Sequence, residues 1–321
     1  MGRLQDFLRT VPNKAIFAAL FGVWCLFFHV VGNSSFGYVN SPSLFGWLTG
    51  WYKLSSVVES GDELCPLIPF LSLILLWLQI DQLKQVPKRV WPAGLLLVAA
   101  GVVLHVAAFL VQQVRISGFA FLLGGAGLMA LIWGPAWLRI VAFPWFLLLF
   151  AIPLDAYTNS ATFPLRLLST ILSAGFCKTV LGLKLIRQGT SVSQDATSSA
   201  GGFAFDVVAA CSGIRSASVV LLISLVYAHL NLRSLLARIV VVMAAVPLAV
   251  LGNVVRLIVV FVVGDAFGEA AAKTIETRFG FLTYGSALVG VILLGNLLQR
   301  SKKAATAPAV SEPKGAVLPS E

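Results

Sequence analysis

Long apolar runs constrain this chain more than any other feature. A bilayer core takes about 20 apolar residues per helix, and on that rule the sequence predicts eight spans, at 15–32, 65–80, 92–112, 118–134, 139–154, 211–231, 239–264 and 281–298. The second and fifth are short. Composition agrees: 58% of the residues are hydrophobic and 11% are charged, whereas soluble domains carry roughly 25% charged residues. The chain reads as an all-α, polytopic membrane bundle. It has no sequence repeat. The net charge of +10 does not point to nucleic acid, because much of it sits in short loops between apolar runs, where Lys and Arg set topology.

The basic loops suggest an orientation. With the N-terminus in the cytoplasm, Arg3, Arg9, Lys14, Lys84, Lys88, Arg89, Arg139, Arg233, Arg238, Arg300, Lys302, Lys303 and Lys314 all fall inside, 13 of the 23 basic residues. Residues 1–14 then form a basic cytoplasmic N-terminus, retained because no small-residue cleavage site follows. Residues 15–298 form a single membrane-embedded domain. Residues 299–321, rich in Ala, Pro, Lys and Ser, form a disordered cytoplasmic tail.

Arg166, Lys178, Lys184 and Arg187 all fall in 163–187. With charges recurring through its length, this segment is expected to be an amphipathic helix on the outer surface. A ninth span here would turn the basic loop 233–238 outward. The polar stretch 188–206 is then an outer loop, and the alternation in GGFAFDVV predicts a short strand within it.

Under this topology, several chemically suggestive residues gather at the outer side. Arg256 lies in the seventh span, eight residues before Gly264, or about 12 Å along a helix. An arginine that deep costs about 2.5–3.5 kcal/mol even on gentle insertion scales, so it usually serves a cavity or an anion. The alternative is snorkelling, or pairing with backbone carbonyls. Asn253 stands three residues earlier on the same face. Pro247, six residues before Asn253, is placed to kink the helix and free carbonyls.

Cys211 opens the sixth span, followed by the turn-prone Ser212-Gly213. A lone membrane cysteine is often a small apolar filler. At a helix N-terminus, however, its thiol pKa falls, and a nearby guanidinium would lower it further. Such a thiolate is a competent nucleophile. Arg215 reads equally as an anion contact or an interfacial anchor. Cys25, Cys65, Cys177 and Cys211 lack metal-ligand spacing,, so no metal and no cofactor is expected. His105 reads as a packed or polar-bonded residue, His229 falls at the inner end of its span, far from Cys211, and His29, near the outer end of the first span, is within reach of the site but reads first as a packed histidine.

The segments VVAACSGIRS and PLAVLGNVVRLIVV together resemble the exosortase/archaeosortase family of membrane cysteine proteases and transpeptidases. CPLIPFLSLILLW at 65–77, FPWFLLLFAIPL at 143–154 and LGLKLIRQGTSV at 181–192 extend the likeness across 65–298. The resemblance implies Cys211 as nucleophile, with Asn253 and Arg256 as the family's Asn-x-x-Arg. Exosortases carry a histidine about 21–22 residues after that arginine, and archaeosortases can carry an arginine there. Here the position is Arg278, 22 residues on. Arg278 stays protonated and cannot act as a base, but it can hold an anion; otherwise it anchors the last span at the interface.

The resemblance further implies substrates. These are secreted proteins with a C-terminal tripartite tail (a short motif, Pro-Glu-Pro in the bacterial PEP-CTERM systems, then an apolar span and a basic cluster). Cleavage would occur at the outer face of a cell inner membrane, with an amine, a lipid head group or water as acceptor. Two alternatives stay open: an inactive family member serving envelope or exopolysaccharide assembly, and a transporter with Arg256 as its anion site.

Overall fold

The structure, a computed structural model, describes residues 2–33, 41–58, 65–153, 155–194, 204–206, 213–278 and 281–306. The described chain is mostly helical. The helices are α1 (Gly2–Thr10), α2 (Lys14–Val31), α3 (Leu44–Val58), α4 (Ile68–Leu78), α5 (Ile80–Gln85), α6 (Gly94–Leu110), α7 (Val114–Trp133), α8 (Pro135–Leu147), α9 (Asp155–Thr179), α10 (Gly213–Asn231), α11 (Leu235–Met243), α12 (Ala245–Phe267), α13 (Glu269–Arg278) and α14 (Phe281–Thr306). Three strands form one sheet in the order β1 (Leu185–Gln188), β2 (Ser191–Gln194), β3 (Ala204–Asp206).

Three stretches are long and apolar enough to cross a membrane: Lys14–Val31, Val114–Trp133 and Leu235–Phe267. Five shorter apolar helices, Cys65–Leu78, Gly94–Leu110, Pro135–Ala151, Ser218–Asn231 and Tyr284–Gln299, fall on the remaining apolar runs of the sequence. This is an all-α membrane protein. The chain divides into two compact units, one made of 1–168 with 206–222 and the other of 169–205 with 223–321.

In the first unit α7 is the central helix, with two-thirds of its apolar window buried. Its face toward α6 has almost no side chains. A Cβ on Gly94 would lie 2.5 Å from the Leu131 nitrogen, and one on Gly127 would lie 2.7 Å from the Val98 nitrogen. The two backbones therefore touch, as small residues permit in membrane helices. Two indoles close the other sides. Trp24 of α2 covers Gly124 and Trp145 of α8 covers Gly125. Their Nε1–H groups donate to the α7 carbonyls of Phe121 (3.0 Å) and Leu122 (2.8 Å). His105 is buried among Phe27, Phe28 and Phe109, with Nδ1 3.0 Å from Ser117 Oγ, so it is packed and polar-bonded, as expected.

Gly134 turns the chain from α7 into α8 at φ 88°, ψ 173°, a conformation essentially reserved for glycine. Pro135 then starts α8, where its missing N–H costs nothing. At the far end of α8, late carbonyls have no helical donor. Ser72 Oγ donates to Pro144 O (2.7 Å) in its last turn; past its end, Tyr52 Oη donates to Ala151 O (2.5 Å) and Arg115 Nε to Pro153 O (2.6 Å). The Arg115 guanidinium also lies over Trp47 and Trp51.

The basic N-terminus is folded, not loose. Arg3 pairs with Asp81 of α5 and sits 5.9 Å from the Trp77 ring. Phe7 stacks on Trp137, and Trp133 Nε1 donates to Pro12 O at 2.9 Å. The Arg3 hydrogen bond holds the Asp81 carboxyl below its ordinary pKa. A depressed carboxylate stabilises above its unfolded pKa, and that contribution is lost as pH falls through the folded value. The α1–α5 pairing therefore weakens only below the usual carboxylate range.

Several elements differ from the sequence reading. α3 was not expected, because Lys53 and the serines near its end lower the hydropathy of its window. Its N-cap is Ser43, whose Oγ accepts from the Gly46 N–H at 3.1 Å and lies 3.0 Å from His29 Nδ1,. α9 begins at residue 155 and ends at 179, not at 163 and 187. It is amphipathic, but in the opposite sense from a water-facing helix. Arg166, Ser169, Thr170, Ser173 and Cys177 are buried, while Leu168, Ile171, Leu172 and Phe176 are exposed. Its end frees 185–194 for a hairpin. Gly189, at φ 63° with Thr190 after it, makes the two-residue turn between Gln188 and its partner Ser191,. The strand expected in GGFAFDVV is β3. α14 runs on to Thr306, beyond the expected start of the tail at 299, through residues of good helix propensity,.

The α6–α7 contact is directly testable. Gly94→Ala should destabilise the protein by about 1–3 kcal/mol, since its Cβ meets backbone that cannot swing aside. Gly22→Ala on α2, where a Cβ meets nothing within 4 Å, should be neutral or stabilising by up to about 1 kcal/mol. Unfolding midpoints in mild detergent separate the two; equal shifts would mean that close backbone approach is not what holds these helices.

Candidate functional site

Asn253 and Arg256, two of the described candidate residues, lie in the second unit, on α12. The expected seventh span is two helices here, α11 and α12, with Ala244 between them. The cause is Pro247. It has no N–H to give to Met243, so the ladder breaks there, and the proline falls in the first turn of α12, where the missing donor costs nothing. Leu248 N resumes the ladder to Ala244 O at 3.0 Å. The helix entrance that carries Asn253 is thus set two turns upstream by one residue.

α12 buries one stripe, formed by Ala249, Gly252, Asn253, Leu257, Val260, Phe261 and Gly264. Leu251, Val255 and Val262 lie on the opposite, exposed side. α12 packs mainly on α14. There Gly290 leaves room for Leu248, and Gly295 leaves room for Tyr227 of α10.

Asn253 stands in the middle of this apolar stripe. It is 2% exposed, and among the described residues its Nδ2 has no hydrogen-bond partner. An unmet buried amide donor costs about 1–3 kcal/mol, so a packing role alone does not explain it. Arg256 follows one turn later and is half-buried, with its Nε enclosed. The two side chains together give the helix a polar patch that presents only hydrogen-bond donors from the guanidinium and both donor and acceptor from the amide. Such a patch favours an anion or a polarised carbonyl oxygen.

The C-terminal end of α12 is closed by two features that sequence reading missed. Gly268, at φ 83° and ψ 176°, makes the sharp turn into α13, as Gly134 does between α7 and α8. Asp265, nine residues past Arg256, accepts from Gln194 Nε2 at 2.8 Å. This bond ties the β1–β2 hairpin to the helix end, and Val192 and Gln194 of β2 are buried there. The available signal was a lone acidic residue at the mouth of an apolar run.

The other expected site residues divide as follows. Cys211 and Ser212 lie outside the described residues. Arg215 is in the first turn of α10, among the residues of the first unit. Arg278 is the last residue of α13, a short helix that packs back on α12. The structure therefore joins Asn253 with Arg256 on one helix face and sets Arg278 on the helix packed beside it. His29 and His105 have the hydrogen-bonded, packed roles given above.

No curated protein and no solved structure gave a match. A family comparison did. The sequence profile described as transmembrane exosortase matches residues 47–293, which is most of the chain and includes Cys211, Arg215, Asn253, Arg256 and Arg278. With that match and the apolar helices that carry it, this protein belongs to the transmembrane exosortase family.

Proposed function

We propose that this protein is a membrane-embedded cysteine protease or transpeptidase that removes C-terminal tripartite tails from secreted proteins. The observation that carries the reading is Asn253, an amide donor buried without a partner in an apolar helix, one turn from Arg256 and inside the family match. In this reading eight helices span the inner membrane, and the Cys211 end of α10 and the Gly268 end of α12 face outward.

The chemistry follows from the residue types. The tail's apolar span packs among the helices and brings its motif to the outer boundary, so an encounter becomes a docked geometry. Cys211, as thiolate, attacks the scissile carbonyl carbon and forms a C–S bond while the carbonyl oxygen takes the negative charge. Arg256 favours the thiolate and then the oxyanion. Asn253 Nδ2 supplies a second donor to that oxyanion. Collapse breaks the C–N bond and leaves a thioester on Cys211. The departing amine takes a proton from solvent or from the Tyr284 phenol, since the Arg278 guanidinium holds its protons too tightly to serve as the acid. Arg278 instead grips the acidic residue of the motif or steadies the same anion. An amine, a lipid head group or water then attacks the thioester and frees the thiol.

Three predictions test this reading, in cells co-expressing a tagged tripartite-tail protein encoded by the same genome. Cys211→Ala should abolish the gel shift that marks tail removal. Equal trimming by wild type and Cys211→Ala would defeat cysteine catalysis and favour an assembly or transport role. Arg256→Gln should slow trimming by about 10²–10³-fold, the range for loss of one oxyanion donor. Asn253→Leu should slow it similarly while raising stability, because it removes an unmet buried donor. If Asn253→Leu instead destabilises the protein and trims normally, the amide is structural.

A further inference from the structure

The first unit holds a second feature that the exosortase chemistry does not use. Between α1, α2, α4, α5, α7 and α8 lies a cavity of about 380 Å³, within the ~300–1,000 Å³ range of small-molecule sites. Trp77, Trp133, Trp137 and Trp145 line it, with Phe7 and Phe21. Its mouth is marked by Leu4, Leu73 and Trp77, lining residues that are 42%, 61% and 42% exposed. A space so lined excludes polar ligands and accepts a hydrocarbon chain.

Two observations identify the rest of the occupant. The first is charge. The segments that frame the cavity, 2–14 and 80–89, carry Arg3, Arg9, Lys14, Lys84, Lys88 and Arg89 against Asp6 and Asp81, six cations minus two anions, a net of +4. Two of these cations touch the lining itself. The Arg3 guanidinium lies 5.9 Å from the Trp77 ring centre and the Lys88 ammonium 5.7 Å from that of Trp137. The second is an unmet donor. Trp137 is 4% exposed, and its Nε1–H has no hydrogen-bond partner among the described residues. By contrast, Trp133 and Trp145 each donate to a backbone carbonyl.

We propose that this cavity binds one membrane phospholipid with an anionic head group. An acyl chain lies among the tryptophans, an ester or phosphate oxygen accepts from Trp137 Nε1–H, and the phosphate rests on Lys88 and Arg3. Each interfacial cation adds about 1 kcal/mol toward an anionic surface. Burial lowers the Lys88 pKa, and a neighbouring phosphate offsets that cost. The same cations disfavour the other apolar occupant to consider, a protein span followed by its own basic cluster. The proposal does not rest on the catalytic reading, and lipid retention can be measured equally on Cys211→Ala.

The test is native mass spectrometry of the full chain released from nanodiscs made with equal amounts of phosphatidylglycerol and phosphatidylcholine of the same acyl chains. One phosphatidylglycerol per chain should be retained, at least about tenfold over phosphatidylcholine. Lys88→Gln should cut that preference by about fivefold, the factor for one cation, while Lys88→Arg keeps it. Trp137→Phe, which keeps the ring and removes the donor, should shorten retention of either lipid without changing the preference. Equal retention of the two lipids by the wild-type chain would overturn the proposal even if a variant failed to fold. So would displacement of the lipid by a synthetic tripartite-tail peptide, which would assign the cavity to a protein span.

Discussion

In the first unit, the rest of the packing depends on the backbone contact between α6 and α7. Lipid tails are as apolar as leucine, so burying hydrocarbon against hydrocarbon gives membrane helices little reason to associate; dispersion at close range must serve. Gly94, Gly101 and Gly127 remove the side chains that would hold the two helices apart. The bare surface left on the other sides of α7 then has to be filled by something large. Trp24 and Trp145 fill it, and each ends its indole N–H on an α7 carbonyl. Glycines and tryptophans are thus two halves of one device: small where backbones meet, large and hydrogen-bonded where they do not.

The second unit uses breaks in place of contacts. Pro247 divides one long apolar stretch into α11 and α12, and Gly268 folds α13 back at the other end. Between those two interruptions Asn253 and Arg256 are held on a rigid helix, with the hairpin pinned to its mouth through Gln194 and Asp265. Irregular backbone at membrane depth survives where it shapes a cavity, and polar side chains there mark function by default.

A basic N-terminus need not serve topology alone. Arg3, Phe7 and Pro12 take part in defined contacts with Asp81, Trp137 and Trp133. The N-terminal charge is part of the folded structure, beside an aromatic cavity whose chemistry suits a lipid.

The apolar helices, the strand in GGFAFDVV and the Asn253–Arg256 pair were legible in the sequence because each rests on a local rule: the bilayer's length requirement, the two-residue period of a strand and the 3.6-residue period of a helix. Other features had no local signature. Ser43 beside Leu44 is a local cap for α3,, but Lys53 and the serines near the end of the helix lower the hydropathy of its window. The charges of 163–187 predicted an amphipathic helix but not what its two faces meet. Tertiary packing turned Arg166, Ser169, Thr170 and Ser173 inward and left Leu168, Ile171, Leu172 and Phe176 exposed. Burial of Asn253 with its amide unmet, the approach of α6 to α7 and the tie from Gln194 to Asp265 were likewise decided by tertiary structure. Each is a contact between residues far apart in the chain, and spacing along a helix carries no information about what packs across from it.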